Sequence, residues 1–389
     1  MEASEVLKII SKGESSRVQF KERMPHVESM AQELVAFSNS EGGTIIFGVN
    51  DKTGDINGLN FTEIASINSQ LANIASNNVL PPVMFTAETV TVNGHNLVVI
   101  SVPIGDEKPY KDRSGGIYMK VGADKRKITS NVVIARLLQR GKYIYADEMQ
   151  VQGVGVSALD INKFSKFLKK RYDKKLSEFK NTLEQILENL DLAESGVLTL
   201  AGVLLFGENC QKHRKMFTIQ CVAVDSDDIT CDKYSDIENS IEGTLDEVYS
   251  ITMGFINRNM RKIPENENDG FNTHSMWEIP RDVFVEFIVN ALIHRDYFIN
   301  STVKVFIFPN RVEITSPGSL PNKLNIEKVK NGISVPRNPV LNSIARDVLP
   351  YVGLGGGVLR AYSLYPHIIL ENDTENEQFK VTIMRNVIE

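Results

Sequence analysis

VEFIVNALIHRDY, Val285 to Tyr297, is the stretch on which the fold turns. Its apolar residues recur with helical spacing, and three polar side chains interrupt them at fixed intervals. Glu286, Asn290 and His294 stand four apart, so on a helix their side chains share one face. Phe287, Ile288, Ala291 and Leu292 take the other face. A helix needs no carboxylate, carboxamide and imidazole in one row to fold, whereas a site for a metal-bound phosphate would use such a row. The plainer alternative is a half-buried helix whose polar row meets solvent.

Outward from this helix, residues 276–389 read as one domain. Two strands follow, Thr302 to Phe308 and Arg311 to Thr315, joined by a turn at Pro309-Asn310. Then come a loop carrying SPGSLP, short helices, the glycine run Gly353-Leu354-Gly355-Gly356-Gly357 and a last strand near Phe379 to Met384. Upstream, residues 1–145 read as a mixed α/β domain. A short strand lies around Val18, a helix over Ser29 to Asn39, and a buried strand, TIIFGV, after Gly42-Gly43. The turn-rich Asp51 to Gly58 precedes a helix over Phe61 to Asn77. A hairpin about Asn93-Gly94 joins Thr86 to Val92 and Leu97 to Val102. A strand over Ile117 to Val121 and a helix over Ser130 to Gly141 close the domain. Residues 146–275 connect the two. The pattern there predicts helix over Asp160 to Leu192, strands over Thr199 to Gly207 and Phe217 to Val224, helix over Asp236 to Met260, and a polar loop from Glu265 to His274. The expected class is α+β, multidomain.

At 389 residues the chain is long for one core, which favours two or three domains. A net charge of −6 excludes a globally basic nucleic-acid binder, so charge must be read locally. Lys108, Lys111, Arg113, Lys120, Lys125, Arg126 and Lys127 cluster with Tyr110 and Tyr118 among them, and only Asp112 and Asp124 oppose them. Arg136, Arg140 and Lys142 follow. Such a cluster can neutralise phosphates, which makes DNA or RNA the expected partner. KFSKFLKKRYDKK, Lys163 to Lys175, is a second basic stretch; each could equally be a solvated face. No helix-turn-helix is legible, so base-specific readout is not inferred.

Cys210, Cys221 and Cys231 form no CxxC pair, and His213 lacks a second ligand pair for zinc. Sparse, odd cysteines suit reduced thiols and a cytoplasmic setting. No signal peptide is evident. The longest apolar run, Val197 to Phe206, is too short to span a bilayer, so no membrane partner is expected.

These motifs carry a family resemblance. ESSRVQFKE, AFSNSEGGTIIFGVND, GDINGL, VPIGDEKPY and GGIYMKVGADKRKIT occur in order from Glu14 to about Gln139. They resemble the Schlafen/AlbA-type domain, also called divergent-AAA. IPRDVFVEFIVNALIHRDY, VEITSPGSLP, SVPRNPVL and GLGGGVLRAY resemble the GHKL-like ATPase domain of a helicase-related family. LTLAGVLLFGE is similar to the segment that joins such domains in bacterial transcriptional regulators. No Walker A motif occurs, so the helicase name is borrowed.

The resemblance implies an α/β sandwich of GHKL type at the C-terminus, with ATP and Mg²⁺ as ligands. Glu286 would polarise the attacking water, and Asn290 would hold Mg²⁺ near the phosphates. His294 and the residues after it would contact phosphate or fix the following turn. Ser316 stands where these ATPases place the Asp of a DxGxG loop, with Gly318 next in that loop. A hydroxyl reads the adenine amine less strongly than a carboxylate does. Gly353, Gly355, Gly356 and Gly357 match the family's phosphate-side glycines. The chain would thus be a nucleic-acid-binding transcriptional regulator with an ATP site or its relic, and alternatively a Mg²⁺-dependent ATPase. A homo-oligomer is implied in the same way. Schlafen-type nucleases need three carboxylates. Here Glu14 and Asp51 are available, but Gln19 holds the second position, which disfavours metal-dependent cleavage. HRDY fails as a kinase loop, because Asn300 is four rather than five residues after Asp296.

Overall fold

The computed structural model describes residues 1–227, 234–264, 275–321, 324–350 and 356–385. The chain divides into two compact units, Met1–Ile144 and Tyr145–Glu389.

In the first unit, β1 (Val18–Lys21) runs parallel to β2 (Gly43–Phe47). The hairpin β3 (Thr86–Val92) and β4 (His95–Val102) completes a sheet of order β1-β2-β4-β3. Alternation along β2 builds two cores at once. Ile45 and Phe47 pack with Leu34 and Phe37 of α1 (Val27–Asn39) and Leu71 of α2 (Phe61–Asn77). Ile46 packs on the other face with Phe20, Val99 and Val6, the last from a helix over Ala3–Lys12. Gly42 and Gly43 make the entry to β2 possible. Gly42 sits at φ +67°, and a Cβ on it would meet Val102 O at 2.7 Å. A second hairpin, β5 (Tyr118–Val121) and β6 (Asp124–Lys127), lies against α1.

The second unit is built on one six-stranded sheet. Its strands are β7 (Ile219–Val224), β8 (Tyr234–Ile241), β9 (Val303–Ile307), β10 (Arg311–Pro317), β11 (Ile368–Asp373) and β12 (Gln378–Met384), in the order β8-β7-β9-β10-β12-β11. Its helices include α3 (Ile161–Tyr172), α4 (Leu200–Phe206), α5 (Leu245–Asn259), α6 (Arg281–Ile293), α7 (Ile326–Lys330), α8 (Pro339–Val348) and α9 (Gly357–Leu364). One continuous core runs from Ala146 to Ile383. The parallel pairing of β7 with β9 carries the sheet across residue 275, where the sequence reading divides the chain.

Three expectations need correction here. Thr199 to Gly207 is not a strand: Val197–Thr199 is extended, and then α4 begins, with Thr199 Oγ accepting from the Gly202 N–H at 3.2 Å. An apolar run buried on every side has no period with which to choose between helix and strand. Asp160 to Leu192 is not one helix. It stops at Asp173, whose left-handed backbone (φ 55°) ends α3, and a second short helix spans Leu183–Glu188. Asp236 to Met260 divides into β8 and α5, the latter entered through the Thr244 and Glu247 capping box. The polar loop expected over Glu265 to His274 lies outside the described residues.

Candidate functional site

α6 begins after Pro280 and is buried around most of its circumference, with Phe284, Ile288 and Ile293 fully enclosed. Each such side chain contributes about 1.5–3 kcal/mol by leaving water. The helix ends earlier than its sequence suggests: Ile293 is its last residue, and His294 is the C-cap, its N–H donating to Asn290 O at 2.9 Å. The HRDY segment that follows is a turn. Arg295 is buried, lies over the rings of Phe217 (4.7 Å) and Tyr297 (4.9 Å), and donates to Ser301 O and to Ile299 O at 3.3 Å. The Tyr297 hydroxyl donates to Leu292 O at 2.8 Å. Arg295 and Tyr297 therefore fix the turn and are not phosphate contacts.

The polar row faces a cavity rather than the core, with Glu286 buried and Asn290 and His294 half-buried. Glu286, Asn290 and His294 all line a cavity of about 310 Å³. Asn290 Nδ2 donates to Glu286 Oε1 at 2.8 Å, which leaves Asn290 Oδ1 as the free acceptor. Burial raises the Glu286 carboxyl above its ordinary range, while Asn290 and the Arg360 charge oppose the rise. Burial and then the Arg337 charge push the His294 imidazole down to about 4, so it is neutral at pH 7. A Cβ on Gly357, at the start of α9, would collide with the Glu286 carboxylate. That glycine is what lets the helix terminus approach α6 so closely.

The opposite wall comes from β10 and the loop after it. Ser316 and Pro317 still belong to the strand, paired with Phe379 and Gln378. Ser316 Oγ donates to Ala291 O at 3.3 Å, tying strand to helix and leaving its lone pairs to accept. Gly318 has φ +103°, and a Cβ there would meet Arg337 and Asp296. Arg337 pairs with Asp296 at 3.6 Å and donates to Ser319 O. Ile314, Leu320, Val335, Leu370 and Phe379 make much of the remaining wall apolar. Gly353 and Gly355 lie outside the described residues; Gly356 and Gly357 line the cavity. Arg337 and Arg360 line it too and were not singled out from the sequence. Both lie within the SVPRNPVL and GLGGGVLRAY motifs, as the lone cation of each.

Among the described residues no group of three His, Cys, Asp or Glu side chains is placed to hold a metal ion. The donor set suits Mg²⁺ only as Asn290 Oδ1 together with phosphate and water oxygens, the arrangement this ion commonly takes. Glu14, Gln19 and Asp51 do not assemble a carboxylate site either. Glu14 Oε1 accepts from the Phe20 N–H at 2.7 Å and from Gln19 Nε2. Gln19 Oε1 in turn accepts from Lys120 Nζ at 2.8 Å. The thiols of Cys210 and Cys221 are buried, and burial pushes each up to about 12. Cys231 lies outside the described residues.

The basic cluster of the first unit is thinner than its sequence implies. Lys108 is fully buried and donates to Ser40 O at 3.0 Å; burial lowers its ammonium to about 8. Lys120 is buried, bridges Glu33 at 2.8 Å and lies over the Phe37 ring. Lys125 is half-buried and donates to Ser29 O at 2.9 Å and Glu33 Oε2 at 3.3 Å. Lys111, Arg113, Arg126 and Lys127 are exposed, with Arg126 paired to Asp124 at 3.2 Å. Alternation along β5 and β6 sends some of the cations inward, and a linear count of charges does not see that.

Known proteins agree with both resemblances. Residues 14–129 match the family described as Schlafen, AlbA_2. Residues 300–383 match the family described as Putative ATP-dependent DNA helicase recG C-terminal, a span that includes Ser316 and Gly357 but begins after α6. No curated protein matches the chain. Among solved structures it is similar to the DIP2311 protein from Corynebacterium diphtheriae, at 21% identity and a TM-score of 0.48, covering 98% of this chain and 80% of that one. It is also similar to the N-terminal domain of the Putative ATP-dependent DNA Helicase RecG-related Protein from Nitrosomonas europaea, at 23% identity and a TM-score of 0.26, covering 34% of this chain and 96% of that one. Among the described residues no helix is long and apolar enough to cross a membrane.

Proposed function

We propose that the chain is a nucleic-acid-binding regulator, acting on transcription, whose second unit binds ATP with Mg²⁺. One observation carries the nucleotide reading: the cavity gathers Glu286, Asn290 and His294 of α6, the Ser316–Gly318 bend and the α9 terminus at Gly357 around one space. The apolar walls suit a purine ring, and Ser316 Oγ, its proton already given to Ala291 O, can accept from an exocyclic amine. Arg337 and Arg360 supply positive charge for phosphates. Bound Mg²⁺ would neutralise phosphate charge, with Asn290 Oδ1 as its protein ligand.

A second reading adds hydrolysis. Glu286 has the raised carboxyl and the buried setting of a group that can take a proton from water. The exposed Lys111, Arg113, Arg126 and Lys127 support a phosphate-led contact with DNA or RNA by the first unit. Buried reduced thiols fit a cytoplasmic protein, and a homo-oligomer completes the reading, open to light scattering.

Calorimetry with ATP and Mg²⁺ tests the site. Wild type should bind, Asn290→Ala should lose the Mg²⁺-dependent part, and Glu286→Gln should bind but not turn over. No heat of binding at millimolar ATP, with the protein folded, rules out both nucleotide readings.

A further inference from the structure

α3 and the turn after it form a basic face that neither the cavity nor the first unit's hairpin explains. The helix buries Phe164, Phe167 and Leu168 and exposes Lys166, Lys169 and Lys170. Asp173 then turns the chain, and Lys174, Lys175 and Lys180 follow, all exposed. Some cations of the stretch are already used. Lys163 pairs with Glu247 at 2.7 Å, Lys169 with Asp173 at 2.6 Å, and Arg171 with Asp347 of α8 at 3.2 Å. Lys166, Lys170 and Lys175 make none of the ion pairs found among the described residues, though the exposed Glu178 carboxylate accepts the Lys175 N–H at 2.5 Å. α8, packed on α3, exposes Arg346 as well.

Lysines in the last turn of a helix complement its carbonyl end, and that accounts for Lys169, Lys170 and Arg171. It does not account for Lys166 a turn earlier, nor for Lys174, Lys175 and Lys180 beyond the helix. Lys166 and Lys170 are separated by about 6 Å of helix rise. Two nucleotide steps along one strand rise roughly 7 Å along the duplex axis. A membrane surface would require apolar side chains on the same face, and α3 turns its Phe and Leu residues into the core.

We infer that the exposed face of α3, continued through Lys175, is a second docking surface of this chain, for the phosphate backbone of duplex nucleic acid. The contact is electrostatic and independent of base sequence, because flexible lysines that reach phosphates carry no base readout. It belongs to the second unit and shares no residue with the lining of the nucleotide cavity.

The test uses the full chain, a labelled DNA duplex of about 20 base pairs and fluorescence anisotropy over a range of salt. K166E/K170E/K175E alters only exposed side chains, and unchanged Trp277 emission checks its fold. The expected result is binding weaker by roughly tenfold or more, with a log–log salt slope shallower by about 3, since each lost phosphate contact removes about 0.9. Unchanged affinity and slope overturn the inference. So does competition by polyglutamate as effective as that by unlabelled duplex, and so does a wild-type chain that binds no duplex. R126E/K127E separates the two surfaces. If that variant loses binding and the α3 variant does not, the first unit's role stands and this one falls.

Discussion

Two groups in the second unit, the fully buried Asp147 and the half-buried, cavity-lining His294, titrate with opposite signs, and substituting either should expose the other. Asp147, in a short turn over Ala146–Glu148, is fully buried, and its Oδ2 accepts the Leu341 N–H at 2.9 Å at the start of α8. Burial, with a contribution from Glu148, raises its carboxyl from 3.8 to about 7, against the pull of the Leu341 and Val340 amides; the Tyr297 hydroxyl is close enough to feel it. A carboxyl whose folded pKa is raised contributes stability that is fully present below pH 3.8 and lost as pH rises through 7. At about 1.4 kcal/mol per pH unit the loss is about 4 kcal/mol. His294 runs the other way. Its imidazole is lowered from 6.5 to about 4, so its contribution is present above pH 6.5 and lost as pH falls through 4, about 3 kcal/mol in all. Between these limits the two slopes nearly cancel.

Asp147→Asn keeps an oxygen for the Leu341 N–H and cannot ionise. It should match wild type near pH 4 and exceed it by up to about 4 kcal/mol at pH 8. His294→Gln should be relatively more stable at pH 4 than at pH 7, by about 3 kcal/mol. Urea unfolding followed through Trp277, the single tryptophan and a residue of the second unit packed near Phe284, reads the right part of the chain. Differences between variant and wild type cancel the other titrating groups. An Asp147→Asn protein with the same pH dependence as wild type refutes the argument, because burial would then not be penalising the carboxylate.

Two further outcomes rest on other contacts. Lys120→Met should lower stability by about 1–3 kcal/mol, because the buried Glu33 carboxylate keeps Lys125 as its one remaining cation, while the salt slope for nucleic acid stays unchanged; a shallower slope without loss of stability would restore Lys120 to the binding surface. Gly357→Ala should displace the Glu286 carboxylate, the end of a flexible side chain that its Cβ meets, at a cost within about 1 kcal/mol, whereas Gly356→Ala, open on all sides among the described residues, should leave Glu286 in place. Equal ATP turnover or binding heat for the two glycine variants would contradict the close approach of α9 to the Glu286 carboxylate.

The sequence carried the parts of the fold that have a period. β1, β2, the β3–β4 hairpin, β9 and β10 lie where alternation and turn residues place them. It failed where the apolar signal is continuous, as in α4, and where a single left-handed residue, Asp173, ends a helix that the pattern would extend. The row of Glu286, Asn290 and His294 was legible because helical spacing projects directly onto one face. The roles of Arg295 and Lys120 were not, because whether a cation faces water or a buried partner depends on residues remote in the chain: the Phe217 ring in one case, Glu33 in the other.

The contacts around α8 explain why residues just past the boundary at Ile144 belong to the second unit and bear on its cavity. Asp147 holds the first turn of α8 through Leu341. Asn338, the residue that precedes that helix, donates through Nδ2 to Ile293 O at 2.8 Å and Arg295 O at 2.9 Å, the carbonyls on either side of His294. Arg337, one residue earlier, reaches Asp296 and the Ser319 carbonyl. A displacement of α8 therefore moves the His294 end of α6 and the Gly318 bend together, since both hang on adjacent residues. Coupling between the cavity and the chain entering at Tyr145 follows only if a ligand binds one position of α8 better than another, and its size is that difference in affinity. Asp147→Asn supplies the measure. It removes the charge at the start of α8 without touching a residue that lines the cavity, so a change in nucleotide affinity it causes is transmitted through α8 and its Asn338 and Arg337 contacts or through Tyr297, which bonds the end of α6.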